Sequence, residues 1–247
     1  MKVVIQENAE TVARELCETI LQVYQDRIES SDTFSMAISG GSLLNLLQHE
    51  IAYELLWNSH EVDFEKWHIF LVDERVVSLD SKDSNCGVFM RIKPWKPYHI
   101  YSLDFQAQQT TEKMCSLYCD KIQAYFNGKE PSYDLVLLGI GPDGHTASLF
   151  PGQVKATEPQ IMIPVLNSPK MPKERISMSL SFINNSKNVV FVVTGYEKKD
   201  VVKSIIVEKD TSLPASLVHP VKGKLVWILD RLASLEIADK MEEINKC

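Results

Sequence analysis

The sequence has no surplus of positive charge, no long apolar run and no metal-finger arrangement of cysteines, and each absence removes a class of function. With 26 Lys and Arg against 33 Asp and Glu, the formal net charge is −7. No global basic field is available to displace counterions from nucleic acid, so an anionic ligand must be met by a local cluster. No apolar stretch approaches the roughly 18 residues that a membrane span needs. The N-terminal MKVVIQENAETVARELCETI lacks the basic-then-apolar order of a targeting segment. The expectation is a soluble, cytoplasmic protein with neither nucleic-acid nor membrane partners, monomeric or weakly self-associating. The five cysteines, Cys17, Cys86, Cys115, Cys119 and Cys247, form no CxxC pair, and their odd number fits reduced thiols. Cys115 and Cys119 stand four apart in a predicted helix and read as packing residues, since no His lies nearby in sequence to complete a zinc site. Cys247 is assigned no role.

What is present is an ordinary globular composition, 45% hydrophobic and 24% charged with only 10 Gly and 11 Pro in 247 residues, which excludes disordered and fibrous classes. From Thr11 to Ile28, Val12, Leu16, Ile20, Val23 and Ile28 recur at helical spacing. The segment TFSMAIS then reads as a strand that breaks at Gly40 and Gly41, with Ser42 placed to cap a helix through SLLNLLQHEIAYELL. The same order recurs in WHIFLVDER, YDLVLLGIG, NVVFVVTG and KLVWILD, the last followed by a predicted C-terminal helix. Near-continuous apolar strands alternating with helices predict an α/β fold with a three-layer, mostly parallel open sheet covered by helices on both faces. With no linker or repeat, residues 1–247 read as one domain.

In such sheets ligands bind beyond the carboxyl ends of the strands, and the unusual residues cluster there. SGGS, residues 39–42, offers a close-approach backbone and a helix start suited to an anion, although alone it is more often just a tight turn. It is neither a Walker loop nor GxGxxG. Asp73, Glu74 and Arg75 end the second strand, either as a solvated charged turn or as groups that orient a polyol and meet developing negative charge. His145 stands apart from the other five histidines because Gly139, Gly141 and Gly144 surround it, and a near-neutral imidazole can take a proton from water. Asp143 either orients that ring or caps the turn. Arg175 and Lys198 gain meaning only if the fold carries both toward SGGS.

GIGPDGHTASLFPG, together with SGG, VDERVV, DSN, the Arg of RISMSL and the Lys of TGYEK, closely resembles the 6-phosphogluconolactonase group of the glucosamine-6-phosphate isomerase/6-phosphogluconolactonase family, over nearly the whole chain. The resemblance implies a Rossmann-like sheet related to sugar-phosphate isomerases and deaminases. It also implies hydrolysis of 6-phospho-D-glucono-1,5-lactone, a phosphorylated sugar lactone, without metal or organic cofactor. By that resemblance Gly40, Gly41, Ser42, Arg175 and Lys198 would hold the phosphate, and His145 would activate water and return its proton to the ring oxygen. Asp143 would orient His145, Asp73 would face the sugar hydroxyls, and Arg75 would hold substrate or oxyanion. Ser42 and Ser148 are not read as nucleophiles, since GxSxG is absent.

Two positions depart from the family pattern: Ser78 stands where a proline follows DERVV, and Cys86 where an aromatic follows SN. Both predict a looser loop between Arg75 and Phe89, which weakens Ser84 and Asn85 as contacts. Two other functions stay open on these residues. A glucosamine-6-phosphate deaminase would carry an acid five positions after the His, where this chain has Phe150, and a Tyr in place of Arg75. A non-catalytic sugar-phosphate sensor would normally add a DNA-binding segment, which neither end resembles.

Overall fold

The computed structural model describes residues 1–92, 99–153 and 159–245, so Cys247 lies outside the described residues. The chain begins with β1 (Lys2–Gln6) and α1 (Ala9–Ile28). Asn8 caps α1 through its side chain, which accepts from Thr11 N at 3.0 Å, while Thr11 Oγ1 accepts from Asn8 N at 3.2 Å. The helix buries Val12, Leu16, Ile20 and Tyr24 along one stripe and packs against the sheet and the next two helices.

The chain continues through β2 (Phe34–Ile38), α2 (Ser42–Leu47) and α3 (Glu50–Ala52) to β3 (Trp67–Leu71) and β4 (Asp73–Arg75). Then come α4 (Asn85–Met90), β5 (His99–Ile100), α5 (Thr111–Phe126), β6 (Leu135–Leu138), β7 (Met162–Val165), β8 (Arg175–Met178) and α6 (Leu180–Asn184). The last elements are β9 (Asn188–Val193), α7 (Lys199–Ile206), β10 (Lys224–Asp230) and α8 (Met241–Ile244).

Seven strands form one sheet in the order β1-β10-β9-β6-β2-β3-β5, with every pairing parallel. Every residue of β2 and β6 is buried, as expected for central strands covered on both faces. The α/β expectation holds. Chain direction across the sheet reverses between β2 and β6, since β3 lies outward from β2 on one side and β9 outward from β6 on the other. A crevice opens at such a reversal, beyond the strands' carboxyl ends.

Four local expectations are corrected. WHIFLVDER is two strands: β3 stays in the parallel sheet, whereas β4 joins a second, antiparallel sheet ordered β4-β8-β7. The helix after SGG stops at Leu47, because His49 is extended (φ −64, ψ 148) and its side chain accepts from Ile51 N to start α3. Ser42 is the first helical residue and caps nothing; Gly41, at φ +74, is the N-cap, with no side-chain cap. Past β10, turns and one 3-10 turn replace most of the expected C-terminal helix, leaving only α8. Within α5, Cys115 and Cys119 do face one another, and their thiols shift each other's pKa, Cys115 upward and Cys119 down to about 7.

Candidate active site

The loops after β2, β3, β6 and β9 converge on a cavity of about 550 Å³ at the reversal between β2 and β6. Its lining includes Gly40, Gly41, Ser42, Asp73, Arg75, His145, Arg175 and Lys198. The fold therefore brings together residues that the sequence scatters over 159 positions. Asp143 stands at the rim, bonded to His145. A larger groove of about 760 Å³ adjoins through Ser148, Leu149 and Phe150, but no ionisable side chain lines it among the described residues. The chemistry belongs to the first cavity.

His145 is delivered by a compact turn at the end of β6. Gly141 N donates to His145 O at 2.9 Å, Gly144 N donates to Gly141 O at 3.0 Å, and Thr146 Oγ1 donates to Gly139 O at 2.9 Å. Glycine is required at 141 because a Cβ there would collide with the His145 imidazole. Asp143 Oδ1 lies 2.5 Å from His145 Nδ1, which places the ring proton on Nδ1 and leaves Nε2 as the basic nitrogen. The ring stacks on Phe150 with centroids 4.8 Å apart. Burial lowers the His145 pKa below its usual value, and Lys170 adds to that, against the opposing pull of Asp143. Burial raises the Asp143 carboxyl, but hydrogen bonds from His145 and Lys170 outweigh it and bring the pKa down to about 2. Near neutral pH the pair is thus a neutral imidazole beside a carboxylate.

Asp73 is buried, and its carboxylate is already engaged: Ser148 Oγ donates to Oδ2 at 2.7 Å and Asn85 Nδ2 reaches Oδ1 at 3.4 Å. Ser148 is itself buried behind it. Arg75 donates from Nη1 to Asp83 O at 2.8 Å, while its Nε is buried without a partner among the described residues. Arg75 and Arg175 stand opposite one another in the β4–β8 register. Burial and then Arg75 lower the Arg175 pKa. Most of Arg175's donors are used internally, on the carbonyls of Pro172, Lys170 and Met171 at 2.9, 3.2 and 3.0 Å and on Ser148 Oγ at 3.4 Å. Of its five N–H groups one is left for a ligand. Lys198, in the 3-10 turn Tyr196–Lys198 after β9, donates from its backbone N to Gly195 O at 3.1 Å but has no side-chain hydrogen bond or ion pair among the described residues, and burial lowers its pKa.

One participant escaped the sequence reading, and two were discounted in it. Lys170, in the segment between β7 and β8, reaches Asp143 Oδ1 and His145 Nδ1, each at 3.2 Å; nothing in NSPKMPK separates it from a solvated lysine. Glu74, read with its neighbours as a charged turn or a polyol-orienting group and given no role of its own, is buried and accepts from Arg75 N, Asn85 N, Cys86 N and Ser84 Oγ at 2.7, 2.8, 2.8 and 3.1 Å. Asn85 donates through Nδ2 to Asp73 O at 2.9 Å and lines the cavity. The loop between Arg75 and Phe89 is consequently tied down rather than loosened by Ser78 and Cys86. Its fit depends on Gly40, where a Cβ would run into the Asn85 amide. Gly40→Ala is expected to break the Asn85–Asp73 contacts at a cost of about 1–3 kcal/mol, read as a roughly tenfold or larger loss in kcat/KM with the fold retained by circular dichroism.

Comparison with known proteins places the chain in a class. The family described as glucosamine-6-phosphate isomerases/6-phosphogluconolactonase matches residues 7–227, and the chain belongs to that family. Within it, a probable 6-phosphogluconolactonase of Drosophila melanogaster is 37% identical over 239 residues, 96% of each chain. The 6-phosphogluconolactonase of Rattus norvegicus is 33% identical over 81% of this chain and 79% of its own. The crystal structure of the Thermotoga maritima 6-phosphogluconolactonase superposes with a TM-score of 0.77 at 26% identity, covering 93% of this chain and 99% of that one.

Proposed function

We propose that this protein is a 6-phosphogluconolactonase, hydrolysing 6-phospho-D-glucono-1,5-lactone to 6-phosphogluconate in the oxidative pentose phosphate pathway. The observation that carries the reading is the placement of a half-buried, neutral His145 in one cavity with Lys198, the His145 Nε2 and the Lys198 ammonium both without a partner among the described residues. Among the described residues the lining of that cavity carries four cationic side chains, Arg75, Lys170, Arg175 and Lys198, against the acids Asp73 and Glu197, with Asp143 at the rim, in a chain whose net charge is −7. A local positive excess of this kind suits a phosphorylated substrate.

In this mechanism the phosphate lies against Gly40, Gly41 and Ser42, with Lys198 and the remaining Arg175 donor as its cationic partners. His145 Nε2 takes a proton from water as the oxygen attacks the lactone carbonyl, Asp143 holding the imidazolium through Nδ1. Arg75, which lines the cavity, faces the developing oxyanion. Collapse of the tetrahedral intermediate breaks the acyl–oxygen bond, and the imidazolium returns its proton to the ring oxygen. Ionisation of the product acid releases one proton to solvent. Asp73 faces the sugar hydroxyls beside Asn85, with Ser148 behind it fixing the carboxylate. Activity should fall as pH drops through the lowered His145 pKa, where the base becomes protonated. A catalytic carboxylate of the deaminase kind is lacking beside His145, since Phe150 occupies that place and stacks on the ring.

Two assays run side by side test the proposal. Proton release from lactone generated in situ should rise above the spontaneous rate, and glucosamine 6-phosphate should yield no ammonia. Ammonia without lactone hydrolysis would transfer the protein to the deaminases; tight 6-phosphogluconate binding with neither activity would make it a sensor. Lys198→Ala is expected to raise KM roughly tenfold, the worth of one charged hydrogen bond, with kcat little changed. Steady-state kinetics on the lactone provides the check.

A further inference from the structure

Lys170 has a mount of its own. The segment 168–173 folds back on itself, with Ser168 N donating to Lys173 O at 3.0 Å and Lys170 N to Ser168 Oγ at 3.2 Å. Arg175 then fastens three consecutive carbonyls of that segment, those of Lys170, Met171 and Pro172. Arg175 is only 3% exposed, and its guanidinium carbon lies 5.7 Å from the centre of the Phe150 ring, which also stacks on His145. One arginine therefore locks the backbone of Lys170 to the same aromatic platform that carries His145.

From that mount Lys170 Nζ stands 3.2 Å from both Asp143 Oδ1 and His145 Nδ1. Both contacts cannot be hydrogen bonds at once while Nδ1 carries its proton. Lys170 donates to Asp143 Oδ1, the oxygen that also accepts from the ring, and its charge lies beside a nitrogen that is already a donor. The carboxylate is thereby fixed from two directions, and a second positive charge on the ring is opposed at close range.

We infer that Lys170 is a positioning residue for the hydrolysis, acting through Asp143 to hold the Nδ1–H tautomer of His145 and disfavouring the imidazolium, so that the ring is regenerated as a base in each cycle. This inference rests on the reading of His145 as the general base. The other charged groups around His145 come from separate elements: Asp73 and Arg75 on β4, Arg175 on β8, and Glu197 and Lys198 in the turn after β9. Among the described residues only Asp143 and Lys170 reach the imidazole at hydrogen-bonding distance.

The test compares the full chain with Lys170→Met and Lys170→Arg, following the His145 ring by NMR in ¹³C-histidine-labelled protein, with the resonance assigned by its loss in His145→Gln. In Lys170→Met the titration midpoint of His145 should move to higher pH, and the acid limb of the kcat profile should move with it. The kcat should fall roughly tenfold, as for outer-shell partners of functional histidines, with KM within about twofold; Lys170→Arg should restore both. A rise in KM with kcat and the acid limb unchanged would overturn the inference and make Lys170 a phosphate contact. An unmoved midpoint in folded Lys170→Met would overturn it as well, and Lys170→Gln supplies the same reading if the Met variant does not fold. If His145→Gln hydrolyses lactone normally, the general-base reading fails instead, while the titration still reports directly on the Lys170–His145 coupling.

Discussion

Replacement of His145 by asparagine is expected to lower kcat by about 10²–10⁴-fold, the usual worth of a positioned general base, while the affinity for 6-phosphogluconate stays within a few fold. The expectation follows from how little else at the site can take a proton. Asp143 is held down to about 2, too weak a base for water, and the Asp73 carboxylate is occupied by Ser148 and Asn85. Ser148 is buried and bonded to Asp73, so it does not stand ready to replace water as nucleophile. The proposed phosphate contacts come from other elements, the turn after β2 and Lys198 after β9, and do not pass through the imidazole. Pre-steady-state kinetics on freshly generated lactone, paired with calorimetric titration of 6-phosphogluconate, separates the two effects.

The second large effect is expected at Phe150. Its ring is 1% exposed, stacks on His145 and lies under the Arg175 guanidinium. Phe150→Ala removes a buried aromatic and should cost about 3–5 kcal/mol, a fall of about 10 °C in Tm for a chain of this size. The activity loss should exceed what the fall in stability explains at assay temperature. Without the ring His145 loses its platform, and Arg175 loses one of the groups that seat it behind segment 168–173. Phe150→Leu keeps most of the volume and should recover most of the Tm but less of the kcat. Thermal unfolding and kcat measured on the same preparations distinguish packing from positioning.

Much of the fold was legible in the sequence because central parallel strands are buried on both faces and read as continuous apolar runs; FSMAI, LVLL and NVVFVV are such runs. The short strand β4 was not, because DER continues WHIFL in the chain and only its pairing with β8 assigns it to another sheet. The break after Leu47 depends on His49 capping the next turn, a contact invisible to apolar periodicity. In the site, residues at strand ends were found because glycine and charge interrupt apolar runs there, as at SGG and GPDGH. Lys170, Glu74 and Asn85 were missed or discounted because their roles are made by partners distant in sequence or by backbone N–H groups. Arg175 was found, but its engagement with three carbonyls is a property of the folded segment that no residue type announces.

The central claim is that a neutral His145 in this cavity activates water against a phosphorylated lactone. The most direct measurement follows lactone disappearance by NMR, from mildly acidic to mildly alkaline pH, with and without protein and with His145→Asn beside the unaltered chain. The account predicts acceleration over the spontaneous rate that climbs as His145 loses its proton and then levels, and that the variant lacks. Acceleration equal in the two proteins, or none in either, would contradict it.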